Sequence, residues 1–312
     1  MAEVLALTHE ACLGHDMGEG HPECPDRLRA IWAALEAPEF AALKREEAPR
    51  ATPEQLARAH PAGYVSAILD IRPDEDERVA LDADTIMSAG SAEAALRAAG
   101  AGIRAVEAVC RGEASAAFCA VRPPGHHAEP QRPMGFCLFS NVVVAARHAQ
   151  AECGVQRVAI LDFDVHHGNG SQACVEADPS ILFISSHQMP LYPGGGAAHE
   201  TGVGNICNLP LRPGDGGGPF RAAWEGALPR LTAFAPGLVI ISAGFDAHVR
   251  DPLAQLRLTE ADFAWITEAI LAAAPGVPVV SMLEGGYDLA ALASSTAAHL
   301  RVLMQGSAAQ IG

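Results

Sequence analysis

The chain has 312 residues, of which 49% are hydrophobic and 19% are charged, and its formal net charge is −16. This composition excludes a disordered chain, and the length is enough to bury a large core. Nucleic acids and anionic membranes bind through lysine and arginine, so the acidic balance argues against both as partners. We expect one globular domain over residues 1–312, with a frayed tail after Met304.

Features that would direct the chain to a membrane or to an oxidising compartment are missing. No apolar run has transmembrane length, and the first residues lack the basic and apolar segments of a secretory signal. The eight cysteines are scattered and none forms a Cys-x-x-Cys pair. This spacing argues against a disulfide framework and against a thiolate zinc site, and it favours a reducing, cytoplasmic location.

Short apolar segments alternate with alanine-rich segments along the chain. The apolar segments predict strands at Val4–Thr8, Ala116–Val121, Val158–Asp162, Ile181–Ser185, Ile206–Leu209, Leu238–Ser242 and Val277–Leu283. The alanine-rich segments predict helices that include Asp26–Leu35, Ser91–Val109, Asn141–Glu152, Gly218–Leu231 and Thr259–Ala274. Such alternation predicts an α/β fold of three layers, with a mostly parallel central sheet and helices on both faces.

A pair of histidines follows the strand predicted at 116–121, where residues 122–127 read Arg-Pro-Pro-Gly-His-His. Adjacent residues of a strand point to opposite sides, so a turn must direct His126 and His127 at a common site. One imidazole would act as a general base and the other as its electrostatic partner. A solvent-exposed turn that happens to contain two histidines is the alternative.

A denser cluster follows the next predicted strand, where residues 160–170 read Ile-Leu-Asp-Phe-Asp-Val-His-His-Gly-Asn-Gly. Strand alternation sends Asp162, Asp164 and His166 to the same side. A carboxylate and an imidazole at the end of a strand suit a borderline metal such as zinc. The carboxyl ends of parallel strands are also where open α/β sheets place their active sites.

Two later strands end in residues of the same kind. Residues 241–246 read Ile-Ser-Ala-Gly-Phe-Asp, so Asp246 is a natural third ligand beside Asp164 and His166, with a fourth position left open as in catalytic zinc sites. Residues 283–287 read Leu-Glu-Gly-Gly-Tyr. The paired glycines let the backbone approach the site and direct Tyr287, whose phenol could donate to a carbonyl oxygen as it becomes an oxyanion.

These four motifs, in this order, resemble those of the zinc-dependent histone deacetylases, which have the arginase–deacetylase fold. The resemblance extends from residues 21–27, which read His-Pro-Glu-Cys-Pro-Asp-Arg, to Tyr287. Asn169 and the N-terminal segment are similar to those of class II members, including bacterial deacetylase-like and acetylpolyamine amidohydrolase proteins. The resemblance implies a zinc-dependent amidohydrolase that removes an acetyl or other acyl group from an acylated lysine peptide or a similar small amine.

The resemblance also implies roles for the motif residues. Zinc would be bound by Asp164, His166 and Asp246.

The catalytic residues would be His126, His127, Asp162, Asn169 and Tyr287. His127 would be the general base and then the general acid, with Asn169 as its partner. His126, paired with Asp162, would be mainly electrostatic. Tyr287 would polarise the amide carbonyl together with the metal.

Further positions match substrate-binding residues of the family. Phe136 and Tyr192 match the aromatic walls of an acyl-lysine tunnel, and such walls shelter an aliphatic chain. Asp84 matches a carboxylate at the rim that grips the substrate. Leu253 lies where a polyamine-preferring relative has a glutamate, so its apolar side chain argues against that route to polyamine specificity.

A structural potassium ion is implied by a third set of matches, Asp162, Ser185 and Ser186. Ser185 would contribute its hydroxyl and Ser186 its carbonyl. An ordinary polar strand end is the alternative at the two serines.

Other functions compete with acyl-lysine hydrolysis. An acetylpolyamine deacetylase is the alternative that uses the same chemistry. In a binuclear manganese ureohydrolase of the arginase type, His248 would be a ligand of the second metal, but Gly168 stands where such relatives have an aspartate. A non-catalytic binding module is disfavoured because every expected catalytic position is filled.

Overall fold

The computed structural model describes residues 3–309 as an alternation of strands and helices. The strands are β1 (Val4–Thr8), β2 (Lys44–Glu47), β3 (Val79–Ala80), β4 (Ile86–Met87), β5 (Ala116–Cys119), β6 (Val158–Asp162), β7 (Ile181–Gln188), β8 (Ile206–Leu211), β9 (Leu238–Ala243) and β10 (Val279–Leu283). The α-helices are α1 (Asp26–Leu35), α2 (Pro53–Leu56), α3 (Ala62–Leu69), α4 (Ser91–Cys110), α5 (Asn141–Glu152), α6 (Asn169–Val175), α7 (Gly217–Phe234), α8 (Glu260–Ala273) and α9 (Leu289–Ala309).

A parallel sheet of eight strands forms the centre of the molecule, in the order β2-β1-β5-β10-β9-β6-β7-β8. Its central strands are buried along their whole length, because helices cover both faces. Helices α4 and α5 pack against each other on one face, and α1, α7, α8 and α9 form a continuous layer on the other. The predicted three-layer α/β fold is confirmed.

The parallel direction of the strands brings the sequence motifs together. Strands β5, β10, β9, β6 and β7 are consecutive neighbours in the sheet, and their carboxyl ends lie along one edge. The segments that carry the histidine pair, the Glu-Gly-Gly-Tyr motif, Asp246, the Asp-x-Asp-x-His cluster and Ser185 therefore meet at this edge.

Local sequence explains where two of the helices begin. Helix α1 follows Pro25, whose ring fixes a backbone angle close to that of a helix. Helix α8 follows Thr259, whose backbone N–H donates to Asp262 Oδ2 at 3.0 Å, as in a capping box. Both helices begin within one residue of the position that the sequence predicted.

All seven predicted strands are present, with boundaries that differ by up to three residues. The sequence did not predict β2, because this strand pairs only with β1 at the edge of the sheet and its residues, Lys-Arg-Glu-Glu, are largely exposed. The hairpin of β3 and β4 has two residues in each strand, too few to give a periodic pattern.

The C-terminal helix runs further than the sequence suggested. Fraying was expected after Met304, but α9 continues to Ala309, and residues 310–312 lie outside the described residues. Leu300 and Leu303 are buried, so apolar packing holds this helix on the rest of the structure. No helix among residues 3–309 combines the length and the apolarity that a membrane span requires.

Candidate active site and metal centre

Asp164, His166 and Asp246 form a buried cluster at the carboxyl edge of the sheet. Each contributes a possible ligand atom, and these atoms lie within 4.8 Å of one another. His166 Nδ1 is 3.2 Å from Asp164 Oδ1 and 3.1 Å from Asp246 Oδ2. The structure thus brings together the three residues that the sequence predicted as metal ligands.

The surrounding backbone fits closely around these carboxylates. The amide of Gly285 donates to Asp164 Oδ2 and that of Val165 donates to Asp246 Oδ1, both at 2.8 Å. A Cβ atom on Gly244 would lie 2.0 Å from Asp164 Oδ2, and one on Gly285 would lie 2.1 Å from Asp246 Oδ2. The glycines of both motifs therefore leave space that a larger residue would take from the carboxylates.

The electrostatics of the cluster favour a cation. Burial would lower the pKa of His166, but hydrogen bonds and charge from Asp164 and Asp246 raise it to about 10. Burial and the neighbouring Asp164 raise the pKa of Asp246. Two buried carboxylates beside one imidazole carry negative charge that a divalent ion would offset, and carboxylate oxygen and imidazole nitrogen are donors that zinc accepts.

The two adjacent histidines have different partners and different charges. His126 Nδ1 lies 3.0 Å from Asp162 Oδ2, and His127 Nδ1 lies 2.7 Å from Asn169 Oδ1. Burial would lower the pKa of His126, but the charges of Asp164 and Asp162 raise it well above the usual value. Burial and the charges of His126 and His166 hold the pKa of His127 well below the usual value. These opposite shifts favour the charged form of His126 and the neutral form of His127, which is able to accept a proton.

Tyr287 lies beside the cluster on the segment that follows β10. Its backbone N–H donates to Asp251 Oδ2 at 2.7 Å, and the guanidinium carbon of Arg27 lies 5.0 Å from its ring centroid. Burial raises the pKa of the phenol well above its usual value, against the opposing charge of Arg27. The hydroxyl is therefore protonated over the physiological range and able to donate a hydrogen bond.

A pocket of about 220 Å³ opens beside these groups. It is lined by Asp84, His127, Gly135, Phe136, His166, Leu191, Tyr192, Leu253 and Tyr287. All four residues that the sequence singled out for substrate binding, Asp84, Phe136, Tyr192 and Leu253, thus line one pocket together with His127, His166 and Tyr287. The ring of Tyr192 stands edge-on to His127, with 5.2 Å between the ring centroids.

The backbone of Phe136 is strained where it forms the pocket wall. Its φ of 70° lies in the left-handed region that residues other than glycine rarely adopt. Its N–H donates to Thr85 Oγ1 at 3.0 Å, and that hydroxyl donates to Asp84 Oδ1 at 3.1 Å. Thr85, to which the sequence analysis gave no role, therefore holds a pocket wall and a rim carboxylate in place.

The residues predicted to bind potassium lie on adjacent strands. Asp162 on β6 is directly opposite Ser185 on β7, and both are fully buried. The hydroxyl of Ser185 is 3.0 Å from His187 Nδ1. Ser186, the next residue of β7, is also buried.

Two residues, His248 and Gly168, are relevant to a second metal. The ring of His248 accepts a hydrogen bond from the backbone N–H of Arg250 at 3.1 Å, and its other nitrogen lies 3.5 Å from Glu260. A Cβ atom on Gly168 would lie 2.3 Å from Asp162 Oδ2, so an aspartate has no room there. These contacts argue against a binuclear centre.

Glu284 is a site residue to which the sequence analysis gave no role, although it begins the Glu-Gly-Gly-Tyr motif. Its Oε2 accepts hydrogen bonds from the backbone N–H groups of Gly125 at 2.7 Å and His126 at 3.1 Å. Burial raises the pKa of this carboxyl to about 7, although the charge of His126 opposes that shift. Glu284 thus ties the histidine pair to the end of β10.

A buried ionic network supports the same region, and the sequence analysis did not predict it either. Glu23 pairs with Arg27 at 3.0 Å and accepts hydrogen bonds from Nε and Nη2 of Arg122, and all three side chains are inaccessible to solvent. Arg27 also donates to the carbonyl oxygens of Gly286 at 2.7 Å and Glu284 at 2.5 Å. The network connects the segment before α1 to the segments that carry the histidine pair and Tyr287.

Comparison with known proteins agrees with this geometry. Residues 21–303 match the histone deacetylase domain family. The chain is 40% identical over 329 residues to "Histone deacetylase 14, chloroplastic" of Arabidopsis thaliana, and the match covers 96% of this chain and 76% of the relative. The chain belongs to the histone deacetylase family. Its predicted membership and its assignment as a hydrolase of amide bonds are confirmed.

Two further relatives extend the comparison. A "Histone deacetylase-like amidohydrolase" of Pseudomonas aeruginosa is 39% identical over 279 residues, which cover 86% of this chain and 73% of the relative. The solved structure of the HDA15 HD domain superposes with a TM-score of 0.93 at 36% identity, covering 97% of this chain and 88% of that one. The predicted arginase–deacetylase fold is therefore confirmed as well.

The buried network gives a prediction about stability. Burial would raise the pKa of Glu23, but the charges of Arg122 and His15 and the hydrogen bonds and charges of the two arginines bring it to about 2. Glu23→Gln leaves both guanidinium groups without their anion, and we expect it to destabilise the protein at pH 7 by about 3 kcal/mol. Urea unfolding measures this difference.

The pH dependence and a control variant test the same network. The folded-state pKa of Glu23 is lower than its ordinary value, so its contribution is complete above pH ~4.5 and is lost as the pH falls towards 2. The difference between the wild type and Glu23→Gln should therefore shrink over that range. Glu39→Gln, which removes an exposed carboxylate paired with Arg301, should change stability little. A constant difference between pH 7 and pH 3 would contradict the assignment.

Proposed function

We propose that the protein is a zinc-dependent deacylase that hydrolyses the amide of an acylated lysine side chain or of a similar acylated amine. One observation carries the proposal: the buried triad adjoins, through His166, the pocket that His127 and Tyr287 also line. This combination supports hydrolysis of a linear amide at the end of a narrow pocket.

The proposed metal ligands are Asp164, His166 and Asp246. Their donor set and the glycines that make room for the two carboxylates suit a single zinc ion. Zinc bound there would supply a Lewis acid that polarises the amide carbonyl and lowers the pKa of a water molecule towards ~7.

His127 is the proposed general base and general acid. Its Nδ1 is engaged by Asn169, so in the neutral ring the lone pair is on Nε2. Nε2 takes a proton from water as the water oxygen adds to the amide carbon. The same proton then goes to the amide nitrogen, the C–N bond breaks, and the products are a carboxylic acid and a free amine.

His126 and Tyr287 are proposed to stabilise the charge that develops during the reaction. Asp162 and Asp164, 3.0 and 3.8 Å from the ring nitrogens of His126, favour its protonated form. The ring lies beside His127, with 4.0 Å between the ring centroids. Tyr287 donates its hydroxyl to the carbonyl oxygen as that oxygen becomes negative.

The pocket favours an aliphatic chain that carries an acyl group at its end. Phe136 and Tyr192 would flank the chain, and Asp84 would bind a backbone N–H or a cationic group at the rim. Leu253 lines the pocket with an apolar side chain, so an acylated lysine peptide is favoured over an acetylpolyamine. The names of the relatives, which include histone deacetylases and an amidohydrolase, support this substrate class.

A structural potassium ion at Asp162, Ser185 and Ser186 is also proposed. The support is the placement of Asp162 opposite Ser185 on adjacent strands, both without solvent exposure. We further propose that residues 1–312 act as one catalytic domain in a reducing compartment, the cytoplasm in the simplest case. All eight cysteines are free thiols in the structure, which suits such a compartment.

Removal of a metal ligand should remove zinc and activity together. Asp164→Ala and Asp246→Ala each leave two ligands, and a two-ligand site binds zinc weakly. Elemental analysis of dialysed protein should give one zinc per chain in the wild type and little in either variant. Asp26→Ala, an exposed carboxylate at the start of α1, should retain zinc and turnover. Full zinc occupancy in both ligand variants would refute the assignment.

The role of Tyr287 is tested by Tyr287→Phe, which keeps the ring but deletes the donor. We expect turnover of an acetyl-lysine reporter to fall roughly 10²–10³-fold, as on removal of one oxyanion donor. KM should change little, because the hydrogen bond strengthens in the transition state. Zinc content and thermal stability should stay near those of the wild type. Turnover within about threefold of the wild type would show that the phenol only packs.

Potassium should raise thermal stability and turnover by more than its contribution to ionic strength. We expect thermal stability and turnover to rise with KCl more than with choline chloride, whose cation is too large for a site between two strands. In Ser185→Ala the two salts should have the same effect, because the hydroxyl ligand is gone. Identical responses of the wild type to both salts would leave Ser185 as an ordinary polar strand residue.

A further inference from the structure

Glu129 lies directly behind the amide that contacts His127. Asn169 Nδ2 donates to Glu129 Oε1 at 2.9 Å, and the same amide places its Oδ1 2.7 Å from His127 Nδ1. Nδ2 also approaches the sulfur of Met134 at 3.3 Å. The amide of Asn169 therefore forms a bridge between a carboxylate and the imidazole of His127.

The carboxylate of Glu129 determines how the Asn169 amide is oriented. An ionised carboxylate accepts hydrogen bonds and donates none, whereas an amide has one donating and one accepting end. Asn169 must therefore turn its NH₂ group towards Glu129 and its oxygen towards His127. The reverse orientation would set two oxygen atoms against each other. With the oxygen in front of it, His127 Nδ1 carries the hydrogen and Nε2 keeps the lone pair.

Backbone contacts hold the segment that carries Glu129 against helix α6, which begins at Asn169. The N–H of Ser171 in α6 donates to the carbonyl of His126 at 3.0 Å. A Cβ atom on Gly170 would lie 2.4 Å from the carbonyl oxygen of Ala128, so α6 and the segment after the histidine pair are in direct contact. The N–H of Glu129 donates to the carbonyl of Arg132 at 3.0 Å, which fixes the segment further.

The carboxylate of Glu129 is bonded to the amide of Asn169, and the neighbouring Arg132 has another partner. Arg132, the closest basic residue in the sequence, pairs instead with Asp82 at 3.2 Å. Glu129 is half-buried beside the pocket, and its carboxylate is bonded to the amide of Asn169. This geometry suits a role in orienting that amide.

We propose that Glu129 is a positioning residue for proton transfer: its carboxylate fixes the orientation of the Asn169 amide and, through it, the tautomer of His127. The inference rests on the proposed function, in which His127 is the general base. It assigns to the pair Glu129 and Asn169 the task of presenting the Nε2 lone pair to the reaction.

Moving the carboxylate from residue 129 to residue 169 tests the proposal. Asn169→Asp sets two carboxylates against each other, and we expect kcat to fall roughly 10–100-fold with little change in KM, because a buried charged hydrogen bond is lost. Adding Glu129→Gln should restore most of the loss, since the glutamine NH₂ can donate to the new carboxylate. Glu129→Gln alone should have a smaller effect. If Asn169→Asp lowers kcat by the same factor in both backgrounds, Glu129 does not orient residue 169.

The tautomer of His127 provides a readout that does not depend on turnover. In ¹⁵N-histidine-labelled, zinc-loaded protein, the signal absent from His127→Ala identifies this ring. The wild type should show a protonated Nδ1 and an unprotonated Nε2, and Glu129→Ala should show a mixture of tautomers. Should Glu129→Ala prove too unstable to purify, Glu129→Leu, whose side chain likewise cannot accept a hydrogen bond from Asn169, gives the same comparison. An unchanged tautomer in these variants would overturn the proposal.

A control and one further variant separate the two proposals. Glu176→Ala removes the same charge from the exposed C-terminal end of α6, and it should leave both kcat and the tautomer as they are in the wild type. A loss of kcat in His127→Ala together with an unchanged tautomer in Glu129→Ala would refute the role of Glu129 alone. Normal kcat in His127→Ala would refute the proposed function itself.

Discussion

Burial of negative charge is the constraint on which the carboxyl edge of this sheet depends. Four carboxylates there are inaccessible or nearly so: Asp162, Asp164, Asp246 and Glu284. A buried carboxylate without a partner costs several kcal/mol, so each needs hydrogen bonds or a cation. His126 compensates Asp162, and backbone N–H groups from neighbouring segments compensate the other three. The segments at this edge are therefore held together by the same groups to which we assign the chemistry.

The glycines of the motifs follow from the same constraint. Backbone amides can reach a carboxylate only where no side chain stands between them. Added Cβ atoms at Gly168, Gly244 and Gly285 would each lie within 2.3 Å of an aspartate oxygen. Glycine is needed there because of close approach, and the adjacent proposed ligands and Tyr287 follow backbone that only glycine permits.

The sequence predicted most of this site because its motifs are local. Asp162, Asp164 and His166 follow one strand, and strand alternation is enough to place them on one side. Parallel strand order then brings Asp246 and Tyr287 to the same edge. The supporting residues were harder to find. Arg27 contacts carbonyl groups more than 250 positions away, and Glu129 contacts Asn169 across two separate segments. No periodic pattern records such contacts, since they depend on how loops fold over the edge of the sheet.

The charged residues near the pocket differ in how far neighbouring charges compensate them. The guanidinium of Arg250 lies 3.2 Å from Asp288, which offsets its charge. Arg132 is offset in the same way by Asp82 at 3.2 Å. Asp84 is the charged residue at the rim among those that line the pocket, and within residues 3–309 its carboxylate accepts a hydrogen bond from Thr85 and forms no ion pair. A carboxylate without an ion-pair partner at the mouth of an apolar pocket attracts positively charged groups. The pocket therefore combines a negatively charged residue at its rim with apolar side chains, among them Leu253, along its walls.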